Sequence, residues 1–189
     1  MMIFYTAGKN SVREHLLPTL IQSGLVFFLI GDIVVMINEI SAFLIGTVFF
    51  LIGSILYLVG FNIGEKVREI GLIEQLIKIF GCTIFFSAFV AHVYFFWNIM
   101  PNKVLYIVYG GCVYFMNVFS LLRYEKTTPF SFRFLGIGAF LFMLSFNLGG
   151  YMKFNGIGSN FGKGIVMLAY YSGQYLIMHG ALHHSNLQN

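Results

Sequence analysis

The run LPTLIQSGLVFFLIGDIVVMI, residues 17–37, is apolar almost throughout and carries Gly31 and Asp32 near its end. A helix needs about 20 apolar residues to cross the hydrocarbon core of a bilayer, so this run predicts a membrane-spanning helix. Asp32 is the only aspartate in the 189 residues. A carboxyl group in such a segment costs roughly 2.5–3.5 kcal/mol on insertion scales, and such residues usually face a bundle interior and serve a function.

The composition is that of a membrane protein. The chain is 58% hydrophobic, 19% aromatic and only 10% charged, whereas soluble domains are about 25% charged. The net charge of +4 is small and dispersed, so we expect no nucleic-acid partner and assign the basic residues to helix ends. Cys82 and Cys112 lie in apolar segments without a CxxC spacing, which favours ordinary buried cysteines.

Six apolar segments predict an all-α, polytopic membrane protein of one domain, residues 1–189, with its helices packed around a polar cavity. The predicted spans are about 17–38, 42–62, 79–98, 104–122, 131–152 and 164–182. Residues 64–79 alternate charged and apolar side chains, which suits either a short amphipathic helix on the membrane surface or a solvated loop. Gly46 and Gly53 lie on one stripe of the second span, which predicts close approach of a neighbouring helix.

Basic residues also predict the orientation. Six spans put both termini on one side, and that side holds eight Lys and Arg residues against three on the other. The positive-inside rule therefore places both termini in the cytoplasm, and we expect a bacterial inner-membrane protein.

Polar side chains of four predicted spans share one depth. At the rise of an α-helix, Asp32, His92, Asn147, Tyr170 and Gln174 lie roughly 8–16 Å below the outer surface. This common level predicts that they line one cavity. For His92 and Asn147 taken singly, the alternative is an interhelical hydrogen bond, worth about 0.6 kcal/mol.

Histidines near the C-terminus suggest a metal site only weakly. His179 and His183 are spaced to share a helix face, and His184 follows, but no acidic residue lies nearby in the sequence. We therefore predict no metal and no cofactor.

Three runs resemble a known family. LVFFLIGDIVVMINEISAFLIGTVFFLIGSILYLVGF, residues 25–61, is similar to the Gly-Asp helix and the following helix of the YhhN, or lysoplasmalogenase, family of membrane proteins. LGIGAFLFMLSFNLGGYMKF, residues 135–154, and GIVMLAYYSGQYLIMHGAL, residues 164–182, resemble its last two helices. The chain departs from the family pattern where Phe146 replaces a second aspartate and Ser54 replaces a histidine, and its N-terminal region is shorter.

The resemblance implies a lysophospholipid substrate, cleaved at its vinyl ether bond to a fatty aldehyde and a glycerophospho-ethanolamine or -choline. Desolvation favours the protonated form of a carboxyl group, so Asp32 is the predicted general acid. His92 with Asn147 is our hypothetical substitute for the missing aspartate in activating water. Lys153 and Lys163 are expected to meet a phosphate headgroup. The predicted substrate-binding residues are Ser54, Tyr57, Ser145, Lys153, Tyr170, Tyr171 and Gln174.

Two alternatives stay open at this point. Phe146 in place of the second carboxylate suits a degenerate family member that binds membrane lipids or stabilises a partner. A small proton-coupled carrier in which Asp32 titrates is the other, although the chain lacks the paired broken helices that transporters often show.

Overall fold

The computed structural model describes residues 2–37, 40–63, 69, 71–97, 103–156 and 159–183. Within these ranges the chain is helical, with no strand, which confirms the predicted fold class. The helices are α1 (Met2–Val35), α2 (Ile40–Asn62), α3 (Leu72–Phe96), α4 (Lys103–Leu122), α5 (Pro129–Phe154) and α6 (Asn160–Leu182). A 3₁₀ turn, Arg123–Glu125, joins α4 to the loop before α5.

Five of these helices are long and apolar enough to cross a membrane. The candidate spans are Leu16–Val35, Ser41–Asn62, Leu72–Phe95, Lys103–Glu125 and Pro129–Lys153. Helix α6 has 23 residues, about 34 Å at the rise of an α-helix, and is long enough to cross. It is less apolar because it carries polar side chains such as Lys163, Gln174 and His179. The sixth crossing therefore stays a prediction.

Two helices begin earlier in the chain than the predicted spans. Helix α1 begins at Met2 and not near residue 17, so Pro18 lies inside it and not in its first turn. Hydropathy marks only the apolar part of a helix, whereas Lys and Glu are good helix formers, so a helix can continue through polar residues. Helix α3 begins at Leu72 and takes part of the charged stretch into the third span; residues 64–68 and 70 of that stretch lie outside the described residues.

Five helices form a closed ring. In the order α1, α2, α4, α5, α6, each packs against the next, and α6 returns to α1. Helix α3 packs against α4 from outside the ring. Its span is the least buried of the five candidate spans, so the interior of the bundle is formed by the other helices.

Glycine pairs bring α1 and α2 together. A Cβ added to Gly31 would lie 3.2 Å from the carbonyl oxygen of Gly46, and one added to Gly46 would lie 3.1 Å from that of Gly31. Gly24 and Gly53 form an equivalent pair, each facing the other's carbonyl oxygen at 3.0 Å. The close approach predicted for the stripe of Gly46 and Gly53 is therefore confirmed, and it fixes the rotation of α1 next to Asp32.

A buried arginine caps the C-terminus of α2. Arg123 directly follows the predicted fourth span, about 104–122, and it is fully buried. One terminal nitrogen, Nη1, donates to the carbonyl oxygens of Gly60 at 3.1 Å, Phe61 at 2.9 Å and Ile63 at 2.7 Å. The last carbonyls of a helix lack intrahelical partners and carry partial negative charge, so a cation stabilises them.

Candidate active site

A cavity of about 490 Å³ lies inside the five-helix ring, at the end where α1 and α5 finish and α2, α4 and α6 begin. All five ring helices contribute to its wall, and most of that wall is apolar. The lining residues with polar or charged side chains are Asp32, Thr47, Tyr106, Tyr109, Ser145, Lys153, Tyr170 and Tyr171. Among all the lining residues, Asp32 carries the one carboxyl group and Lys153 the one ammonium group.

Asp32 lies three residues before the end of α1 at Val35, nearer the helix end than the sequence indicated. Its side chain is half-buried, and its neighbours across the cavity are tyrosines. The Tyr170 hydroxyl lies close to the carboxyl group across the cavity, but it has no partner at ordinary hydrogen-bond geometry in the described part of the chain. Asp32 therefore faces the interior of the ring, as a carboxyl group in a membrane span should.

Lys153 lies at the mouth of the same cavity, on the last turn of α5. Its ammonium nitrogen is 3.7 Å from the centroid of the Phe43 ring on α2. A cation over an aromatic face is held by the ring quadrupole while its outer side stays accessible. The site thus places a positive group at the entrance and a carboxyl group further in. Lys163, the second lysine predicted for the headgroup, does not line this cavity.

His92 and Asn147 form a separate polar cluster. His92 Nδ1 is 2.8 Å from Asn147 Oδ1, and the Tyr114 hydroxyl donates to the same oxygen at 2.9 Å. Because that oxygen is an acceptor, Nδ1 carries the proton. Neither His92 nor Asn147 lines the cavity, whereas Phe146 does, and the Phe146 ring lies 5.3 Å from the imidazole. The shared depth inferred from the sequence therefore does not bring this pair to Asp32.

One comparison with known proteins gives a match. A family model described as the YhhN family matches residues 1–181. The chain belongs to the YhhN family. No curated protein and no solved structure matches it. The family resemblance carried by the Gly-Asp helix and the last two helices is thereby confirmed across nearly the whole chain.

In this YhhN-family protein, Phe146 completes an aromatic wall that sequence reasoning missed. Its ring centroid lies 4.9 Å from that of Tyr106 and 4.9 Å from that of Tyr109. Tyr109 stacks in turn on Phe50, at 6.0 Å. Such pairs are worth about 0.5–1.5 kcal/mol beyond their burial. Aromatic residues are common in membrane helices, so no sequence signal distinguished these four from the remainder.

Below the cavity lies a second polar layer. Phe28, one turn before Asp32, packs against Tyr57 and against Phe142, which lines the cavity, with ring centroids 5.1 Å away in both cases. Beneath it the Tyr57 hydroxyl donates to Gln174 Oε1. Ser54 Oγ and Gln174 Nε2 are buried and have no hydrogen-bond partner in the described part of the chain. Ser54, Tyr57 and Gln174 therefore lie under the cavity and do not line it.

The remaining predicted residues divide as follows. Ser145, Lys153, Tyr170 and Tyr171 line the cavity with Asp32. The Ser145 hydroxyl donates to the carbonyl oxygen of Phe142 at 2.8 Å.

No group of three or more potential metal ligands occurs in the described ranges. His183 Nδ1 donates to the His179 carbonyl oxygen at 2.9 Å, a helix-end contact; His184 lies outside the described residues.

Proposed function

We propose that this protein hydrolyses the vinyl ether bond of lysoplasmalogens, releasing a fatty aldehyde and a glycerophospho-ethanolamine or -choline. One observation carries the proposal. Asp32, the one carboxyl group among the lining residues, faces a mostly apolar cavity of about 490 Å³ with Lys153 at its mouth. A single-chain lipid has the matching parts, since its phosphate suits a lysine and its hydrocarbon suits an apolar wall.

The chemistry needs a proton delivered to carbon. The Asp32 carboxylic acid would protonate the vinyl carbon that is remote from the ether oxygen, leaving an oxocarbenium ion. Water then adds to the carbon next to that oxygen. The resulting hemiacetal loses the glycerol oxygen as an alcohol and becomes the aldehyde, and the proton released by water returns to the carboxylate. A positioned general acid typically contributes about 10²–10⁴-fold to such a step.

Tyr170 and Lys153 have supporting roles in this proposal. The Tyr170 hydroxyl, opposite the carboxyl group, would orient the acid and share its proton. Lys153 would hold the phosphate so that the vinyl ether lies beside Asp32. Our proposal that His92 and Asn147 activate water requires the Phe146 ring to turn aside, because that ring separates the pair from the cavity.

Phe146 favours a second candidate function. Its ring is packed between Tyr106, Tyr109 and His92 at the position where the family pattern has its second aspartate. A cavity with one carboxyl group and an aromatic wall suits a lipid-binding protein that has lost the hydrolytic step.

We also propose that the protein lies in a bacterial inner membrane with both termini in the cytoplasm, from the distribution of its basic residues.

Aldehyde release separates the two candidates. Purified protein in bilayers is incubated with lysoplasmenyl-ethanolamine, and the fatty aldehyde is quantified for the parent, Phe146→Asp and Phe146→Leu. A hydrolase releases aldehyde as the parent protein. A degenerate member releases none as the parent, and Phe146→Asp creates activity because it restores a carboxyl group to the cavity wall. Phe146→Leu is the matched control, since it opens the aromatic wall without adding an acid. Absence of aldehyde from the parent protein would contradict the hydrolase proposal, and its absence from Phe146→Asp as well would contradict the degenerate member.

A further inference from the structure

Helix α6 is buried only along its second half. Its buried residues are Gly173, Gln174, Ile177, Gly180 and Ala181. None of the described residues from Asn160 to Ser172 is buried, although Tyr170 and Val166 line the cavity. The first half of α6 therefore lines the cavity on one side and stays exposed on the other.

The cavity wall and the outer surface share side chains at this seam. Met36, just after the end of α1, and Met167 and Tyr171 on α6 line the cavity, yet they are 83%, 59% and 58% exposed. On the opposite wall, Tyr106 and Phe142 line the same cavity and are 7% and 1% exposed. A side chain that belongs to both surfaces marks an opening. We call the gap between Met36, Met167 and Tyr171 the portal.

We infer that the cavity takes its ligand sideways from the bilayer through the portal between α1 and α6, and that the part admitted is the hydrocarbon chain of a lipid whose phosphate meets Lys153. The identity of that lipid as a vinyl ether rests on the proposed function, whereas lateral binding does not. The residues around the opening are apolar or aromatic, so a chain that passes from the bilayer into the cavity stays in apolar surroundings throughout.

The two methionines suit a gate. Methionine is unbranched and flexible, so it can close over an empty cavity and move aside for a chain of varying shape. Lys153 lies at the same end of the bundle as the portal, on the last turn of α5. A lipid with its phosphate at Lys153 therefore keeps its headgroup near the membrane surface while its chain lies at the level of Asp32.

Photo-crosslinking tests the portal without any need for hydrolysis. The full chain in nanodiscs is irradiated with a saturated alkyl-ether lysophosphatidylcholine that carries a diazirine in its chain, and adducts are mapped by mass spectrometry. Adducts on Met36, Met167 and Tyr171 should be lost when excess unlabelled alkyl-ether lysolipid competes. Ile37 and Leu168 are 63% and 70% exposed and do not line the cavity, so their adducts should persist. Equal competition at all five positions, or none at the portal, would overturn the inference.

Matched tryptophan variants test the gate. Met167→Trp should obstruct the opening and remove the competable adducts on Tyr170 and Tyr171, whereas Leu168→Trp, one residue along and facing the lipid, should retain them. Retention of those adducts in Met167→Trp would reject the portal. If the adducts behave as expected and no aldehyde is released from lysoplasmenyl lipid, the portal stands and the hydrolase proposal fails. If aldehyde is released but the adducts are not lost on competition, the hydrolase proposal stands and the portal is rejected.

Discussion

Asp32→Asn is expected to reduce vinyl ether cleavage by about 10²–10⁴-fold, the usual contribution of a general acid. The amide keeps the size of the side chain and its place opposite Tyr170, but it has no acidic proton to give to carbon. Binding of the uncleavable alkyl-ether lysolipid should change little, because the apolar wall and Lys153 are intact. Initial rates of aldehyde release, taken with folding-matched protein in bilayers, measure the loss.

Glu69→Gln is the control for that loss. It removes one carboxyl group from an exposed position away from the cavity, and its rate should match that of the parent protein. Should Asp32→Asn retain the parent rate while remaining folded, the lone carboxyl group would have no part in the reaction.

Gly138→Ala is expected to destabilise the protein by about 1–3 kcal/mol through overpacking. A Cβ at this position would lie 2.8 Å from the carbonyl oxygen of Gly173 and 2.9 Å from the backbone nitrogen of Ile177. Both are backbone atoms of α6, so the side chain cannot be accommodated by a rotamer change and the two helices must separate. Denaturant-induced unfolding of the detergent-solubilised protein measures the effect.

Gly136→Ala, two residues earlier on the same helix, is the matched control. Nothing lies within 4 Å of a Cβ at Gly136, so this substitution should be neutral or stabilise the helix by up to about 1 kcal/mol. Helix α5 carries Ser145 and Lys153 and α6 carries Tyr170. Their separation in Gly138→Ala should therefore lower cleavage as well. Equal stability of the two variants would show that α5 and α6 do not pack through this glycine.

Much of the fold could be predicted from hydropathy and glycine spacing. Helices α2, α4 and α5 lie within two residues of the predicted spans, and the stripe of Gly46 and Gly53 indicated the contact with α1. The long N-terminal extension of α1 could not be found in this way, because the helix continues through polar residues where the hydropathy falls. Arg123 was also missed, since its position after an apolar run is equally typical of a solvated loop and of a helix cap.

Part of the site could also be predicted from the sequence. A lone carboxyl group in an apolar run costs free energy wherever it points, so Asp32 could be singled out from sequence alone. The depth of a residue along a helix follows from its residue number. This depth placed His92 and Asn147 near the level of Asp32. The direction in which a side chain points depends on packing, and the Phe146 ring separates the two groups.

The most direct test of the central claim is vinyl ether cleavage in deuterated water. A carboxylic acid that protonates carbon from the solvent-exchangeable pool predicts a fatty aldehyde with one deuterium at the carbon next to its carbonyl group. The parent protein should release this labelled aldehyde from lysoplasmenyl-ethanolamine, and Asp32→Asn should not. Aldehyde without deuterium, or labelled aldehyde released equally by both proteins, would contradict the assignment of Asp32 as the acid.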